Sequence, residues 1–268
     1  SYVEAIAEEV VLASPERVEP LEANYLATSP WQIMTFAAEN RHKADIVKEL
    51  FTQAGVVIPS EVEESSGEKG DLSTTPAAAG SAQDDKAVIS VGSELHYRNK
   101  MEFSFSEKRW LTKEEISKEG ILDKDFSLGL HIPKIYDKVL DVDECFLQSE
   151  VSNKILNFTR DFFKKRNTSI YSTKTHTGYL RNLVIKQASL TNDLMVNIVT
   201  SEENDELVNE YCDELRKEIP HVTTVINNIN KKFAAVAVGD YEKVIYGSGF
   251  IYDEIGKHKF RISANSFF

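Results

Sequence analysis

The chain has 268 residues, 41% of them hydrophobic, a formal net charge of -12 and two cysteines. That length supports one large core or two modest ones, while Cys145 and Cys212 are too few for a disulfide framework or a self-sufficient zinc site. No apolar run approaches the roughly 20 residues that span a bilayer, and "SYVEAIAEEVV" lacks the basic-then-apolar layout of a signal peptide, so the expectation is a soluble, cytoplasmic protein without a membrane partner.

The charge is uneven: residues 1–87 hold 6 basic and 16 acidic side chains, leaving a net of only -2 for residues 88–268. The second part can therefore carry a basic face despite the acidic total. Within residues 1–58, the N-terminal arm, Phe36, Ala37, Ala44, Val47, Leu50 and Phe51 recur at helical spacing and predict a helix over 35–53, ended by Gly55. A lone amphipathic helix has no core of its own, so it is expected to dock on the rest. Residues 59–87, "PSEVEESSGEKGDLSTTPAAAGSAQDDKA", are rich in Ser, Gly, Pro, Ala and acid and read as a flexible linker.

Residues 88–268 alternate strands and helices and predict an α+β fold with a largely antiparallel sheet and packed helices. "AVISVGSELHYRNKMEFSFS" predicts a strand with His96, Arg98, Lys100 and Glu102 on one face, opposite Tyr97, Met101, Phe103 and Phe105. "SEVSNKILNFTRDFFKKR" is a helix capped by Ser149, with Val151, Ile155, Phe158 and Phe162 on its apolar stripe. "YLRNLVIKQASLTNDLMVNIVTS" predicts two strands around a turn at 191–193. "ENDELVNEYCDELRKEI" is a helix with Leu207, Tyr211, Leu215 and Ile219 inward, and Cys212 on that stripe reads as a small buried hydrophobe. "VTTVINNIN", "AAVAVGD", "KVIYGSGFIYDEI" and "HKFRISANSFF" supply further strands. No GxGxxG or P-loop pattern occurs.

Arg98 and Lys100, two apart on one predicted face, can reach successive phosphates or one anion; on these residues alone an ordinary solvated strand face is the favoured reading. Arg181 is placed at the edge of a cleft, or as a surface cation capping the sheet, with Lys186 pointing elsewhere. His131 in "GLHIPK" is expected in a turn as a structural hydrogen-bonding residue, and no Ser/His/Asp or Cys/His constellation can be assembled.

In order, "SPERVEP", "SPWQIM", "YRNKMEFSFS", "GLHIPKIYDKVLDVDECFLQ", "TGYLRNLVIK", "LMVNIVTS", "VINNIN" and "FRISANSFF" resemble successive blocks of the RNA (uracil-5) methyltransferase family, over nearly the whole chain outside the linker. The resemblance implies S-adenosylmethionine-dependent methylation of uridine in structured RNA, ribosomal RNA being favoured slightly over tRNA. It also implies that this chain is the family's central domain, with the N-terminal barrel and the C-terminal methyltransferase domain missing, and that it is inactive alone.

In that family a cysteine thiolate adds to C6 of uracil, making C5 enolate-like and able to attack the cofactor's methyl group; a base then removes the C5 proton. By resemblance, those catalytic groups and the cofactor pocket belong to the missing domain. Arg98, Lys100, Arg181 and Phe267 are the implied contacts to RNA or to the active-site cleft, with His131, Lys134 and Lys186 as further candidates. Leu21, Ala27 and Pro30 stand where many members have cluster cysteines; only Cys145 matches a ligand, so no iron-sulfur cluster is expected. Phe267 and Phe268 are expected to touch the cofactor domain, the flipped uridine, or both. The alternative is a non-enzymatic RNA-binding or docking module.

Overall fold

The computed structural model describes residues 14–21, 28–53, 95–112, 115–116, 124–132, 135–233 and 237–266. The chain divides into two compact units, Ser1–Pro20 with Trp31–Gly92, and Leu21–Pro30 with Ser93–Phe268. The predicted linker, Ala27, Lys134, Phe267 and Phe268 lie outside the described residues.

In the first unit, helix α1 runs Phe36–Gln53. Thr35 Oγ1 accepts the Ala38 N–H at 3.3 Å, so Thr35 is its N-cap and not its first turn. Among the described side chains of α1 the buried ones are the small Ala38 and Ala44, while Phe36 and Leu50, expected inward, are exposed. Ahead of the helix, Arg17 bridges Met34 in antiparallel fashion, and Lys43 Nζ lies 5.6 Å from the centre of the Trp31 ring.

The second unit is built on an eight-stranded sheet. Its strands are β1 (Lys100–Ser106), β2 (Arg109–Trp110), β3 (Ser127–Ile132), β4 (Ile135–Asp141), β5 (Leu180–Gln187), β6 (Leu194–Thr200), β7 (Thr224–Ile229) and β8 (Tyr241–Tyr246). Their spatial order is β2-β4-β3-β1-β5-β6-β7-β8. Pairing is antiparallel except for β2 with β4 and β6 with β7. The expected α+β class with a largely antiparallel sheet is the one observed. A separate hairpin follows, β9 (Phe250–Ile255) and β10 (His258–Ser263), joined by a two-residue turn in which Gly256 takes φ +60°, as a primed hairpin turn requires.

Helices α2 (Glu150–Lys165) and α3 (Asp205–Glu218) face the apolar side of the sheet. Ser149 caps α2 by accepting the Ser152 N–H at 3.2 Å, and Asn204 caps α3 by accepting that of Leu207 at 3.1 Å. Asp205 and Glu206 in the first turn of α3, with Arg216 and Lys217 in its last, suit the helix dipole. Met101, Phe103 and Phe105 of β1, Leu183 and Ile185 of β5, and Val196 and Ile198 of β6 join Phe163 and Tyr211 in one core. Phe163 and Tyr211 stack at 5.1 Å, and the Tyr211 hydroxyl meets Thr159 Oγ1 at 2.7 Å, which satisfies both buried polar groups.

Three sequence expectations change. The strand begins at Lys100, not near His96: His96 takes φ 57°, a left-handed conformation that breaks extended pairing, and Arg98 precedes the strand. His131 lies within β3, beside a register shift, and not in a turn. Residues 237–240 of the "AAVAVGD" segment form no strand.

Candidate functional site

Side-chain alternation places Lys100, Glu102 and Ser104 of β1 on the sheet face opposite the helices. The register continues this face through Lys186, Val184 and Asn182 of β5, Met195 and Asn197 of β6, and Thr224, Ile226 and Asn228 of β7. It is much more polar than the helix side. The β9–β10 hairpin covers part of it, with Ile251, Ile262 and Ala264 packed among Ala188, Met195 and Ile226. This cover explains why β5 and β6 are buried on both faces.

Beside the hairpin a cleft of about 110 Å³ opens between Lys100, Glu102, Val184, Asn197, Asn265 and Ser266. Lys100 Nζ lies 3.9 Å from Glu102 Oε2, a partly exposed pair at the rim. Lys186 is fully buried, and its Nζ donates to the carbonyl oxygens of Ser263 and Ser266 at 2.8 and 2.6 Å. Burial lowers its pKa from the ordinary 10.5 to about 8; nearby Lys100 acts in the same direction and Glu242 opposes it. Burial correspondingly raises the Glu242 pKa, against the pull of Lys186. Far from pointing away, Lys186 holds the turn that forms one wall of the cleft.

Asn228 supports that wall from a second strand, its Nδ2 donating to Asn265 Oδ1 at 2.9 Å. The Oδ1 atoms of Asn197 and Asn228 are buried without hydrogen-bond partners among the described residues. These asparagines were missed as site residues, although a polar residue inside "LMVNIVT" and "TVINNI" marks a position where a buried strand faces something other than apolar core.

The other candidates are distributed as follows. Arg98 is exposed, and its backbone N–H donates to the Leu147 carbonyl at 2.9 Å. His131 is exposed on the polar face, with Nε2 3.1 Å from Ser104 Oγ, which also accepts from Asn182 Nδ2 at 3.2 Å. Arg181 is buried: its Nη1 donates to the carbonyls of Asn230 and Lys232 at 2.9 and 2.8 Å, and its guanidinium stacks 4.0 Å from the centre of the Tyr171 ring. Desolvation lowers its pKa, and its place is that of a brace between β5 and the segment after β7.

Cys145 is fully buried, its backbone N–H and carbonyl both engaged by the Asn153 amide, at 3.0 and 3.2 Å. Cys212 is buried on α3, where burial raises its thiol pKa. Among the described residues no group of three His, Cys, Asp or Glu is placed to hold a metal ion, and no helix is long and apolar enough to cross a membrane. Among the described residues the site presents cationic and amide groups on the sheet face, with no assembled nucleophile and base.

No family model matches the chain. It is 36% identical over its whole length to an uncharacterized RNA methyltransferase of Chlorobaculum tepidum, covering 51% of that protein. It is 29% identical, again over its whole length, to an uncharacterized RNA methyltransferase of Bacteroides thetaiotaomicron, covering 55% of it. The chain thus spans about half the length of these curated relatives. Among solved structures, the Pyrococcus abyssi tRNA (uracil-54, C5)-methyltransferase in complex with S-adenosyl-L-homocysteine matches 97% of this chain and 49% of its own, at 20% identity and a TM-score of 0.58. At that identity the likeness concerns the fold.

Proposed function

We propose that this chain, a homologue along its whole length of proteins named RNA methyltransferases, is the central, substrate-facing part of an RNA (uracil-5) methyltransferase. The observation that carries the reading is the match to the Chlorobaculum protein, 36% identical across all of this chain and half of that one. The fold shared with a tRNA uracil-5 methyltransferase supports the choice of base and position. S-adenosylmethionine would supply the methyl group in the complete enzyme. The thiolate addition and proton removal are assigned to the half of the relatives that this chain does not match.

The chain's own residues would bind and orient. Arg98, exposed, and Lys100, at the cleft rim, are the proposed phosphate contacts, and the Lys186-anchored turn would fix one wall of the space beside them. Structured RNA is the proposed partner, with ribosomal RNA placed ahead of tRNA.

The test is to incubate the full-length protein with labelled cofactor and, separately, unmodified ribosomal RNA and tRNA, and to map the product. Label at uridine C5 supports the reading, and label on another base overturns it. RNA binding without any methylation would favour the docking-module alternative.

Exchanging Arg98 and Lys100 together for alanine in the full-length protein should lower kcat/KM by about tenfold, equivalent to about 1.4 kcal/mol. The melting temperature should hardly move, because Arg98 is exposed and the Lys100–Glu102 pair lies near the surface. Unchanged turnover would remove both residues from the site.

A further inference from the structure

The outer face of the β9–β10 hairpin carries a cationic and aromatic ladder that no sequence motif picked out. The register sets Arg261 opposite Tyr252, Ser263 opposite Phe250 and Lys259 opposite Glu254, so these six share one face. On that face Arg261 Cζ lies 4.0 Å from the centre of the Phe250 ring, and Lys259 Nζ 4.3 Å from that of Tyr252. The two rings meet edge to face at 5.3 Å. The inner face is committed to packing through the buried Ile251 and Ile262, and Asp253 is engaged by the backbone N–H groups of Ser189 and Leu190, at 2.9 and 3.0 Å. On the outer face Phe250, Tyr252 and Ser263 are half-buried, while Glu254, Lys259 and Arg261 are exposed.

Elsewhere in this unit Arg166 is held by Glu210 and Glu214, and Lys243 by Glu203 and Asp205. Lys259, Arg261 and Lys257 at the hairpin tip are exposed, and beyond the two ring contacts none has a charged partner among the described residues. Cations two apart on a strand stand about 7 Å from each other. Flat guanidinium and ring surfaces beside them suit unpaired bases, which bind by stacking, while the ammonium and guanidinium groups neutralise phosphates. Lys257, Lys259 and Arg261 outnumber the exposed Glu254, so in a chain of net charge -12 the hairpin is locally net positive, which favours a polyanionic partner.

We infer that the outer face of the β9–β10 hairpin is a contact surface for unpaired RNA, with Lys259 and Arg261 on phosphates and Phe250 and Tyr252 beneath the bases. Ala264, Asn265 and Ser266, which follow β10 directly, line the cleft, so RNA held on the hairpin runs toward it. The inference rests on the proposed RNA-facing role and adds the surface through which it acts.

The test uses the full-length protein, its Lys259→Ala/Arg261→Ala variant, and a labelled 12-nucleotide oligouridylate followed by anisotropy across a salt series. Two lost phosphate contacts should flatten the slope of log affinity against log salt by about 1.4 and weaken low-salt binding at least tenfold. Binding by wild type and variant with equal affinity and slope would overturn the hairpin assignment and leave the RNA-facing reading intact. No binding by wild type at low salt would overturn both. Wild-type binding to phosphatidylserine vesicles but not to the oligonucleotide would assign the ladder to a membrane surface and overturn the inference. Both replaced side chains are exposed, and a Lys259→Gln/Arg261→Gln variant, which keeps side-chain bulk, repeats the measurement if the alanine form melts early.

Discussion

Replacing Lys186 by methionine should destabilise the chain by about 2–3 kcal/mol and loosen the turn at residues 263–266 before anything else. Two carbonyls lose their donor, at roughly 1–3 kcal/mol for each buried group left unpaired, and this is partly offset because methionine carries no charge to bury. The offset gives the effect a pH signature. Burial holds the Lys186 pKa near 8 against an ordinary 10.5, so between these values the unfolded chain binds more protons than the folded one. Stability then rises with pH across that window: the cost of the buried charge is fully present below pH 8 and is relieved toward pH 10.5, by up to about 3 kcal/mol. The neutral amine still donates to a carbonyl. The stability gap between wild type and Lys186→Met, read from denaturant melts at pH 7 to 10.5, should therefore widen as pH rises. A gap that stays flat, or a variant more stable than wild type, would mean that Lys186 is not the clamp.

The same residue shows where sequence reading stops. Periodicity located α2, α3 and the β5–β6 pair, because a helical stripe or an apolar run bounded by a turn is a local signal. The Ser149 cap was legible for the same reason. Lys186 was not, since β5 is buried on both faces and its apolar run does not announce what covers either one. The groups that meet its Nζ lie 77 and 80 residues further along the chain. Arg181 read as a cation at a cleft edge or on the surface because the carbonyls it braces, at Asn230 and Lys232, lie 49 and 51 residues away. The hairpin ladder was hidden in another way: Phe250 and Tyr252 meet Arg261 and Lys259 only through the register that the turn at Gly256 imposes. Placing β1 between β3 and β5 likewise requires pairings that no single segment encodes.

Arg160→Met is the other substitution expected to have a large effect, about 3–5 kcal/mol. Arg160 projects from α2, 6% exposed, with Nε 2.9 Å from Asp141 Oδ1 and Nη1 2.7 Å from Asp143 Oδ1. Its Nη2 also donates to the Val142 carbonyl. Asp141 in turn accepts the Leu128 N–H at 3.0 Å and lies 3.5 Å from Arg109, so one ion cluster joins α2 to three strands at the end of the sheet. Desolvation already raises the Asp141 pKa above 3.8, with Arg160 first among the influences pulling it down. Removing Arg160 leaves a carboxylate in the same low-polarity setting with its main counter-charge gone, which raises that pKa further. A carboxyl group whose folded pKa lies above its unfolded one gains native stability on protonation, and that gain is lost as pH rises through the folded value. The deficit of Arg160→Met should therefore be largest near pH 7 and shrink on acidification toward pH 4, as Asp141 takes up a proton. An Asp141→Asn/Arg160→Met pair should recover part of the loss at pH 7, since no uncompensated charge then remains buried. Additive losses in the double variant, together with a deficit that does not depend on pH, would show that Arg160 acts through packing and its carbonyl contact instead of through Asp141.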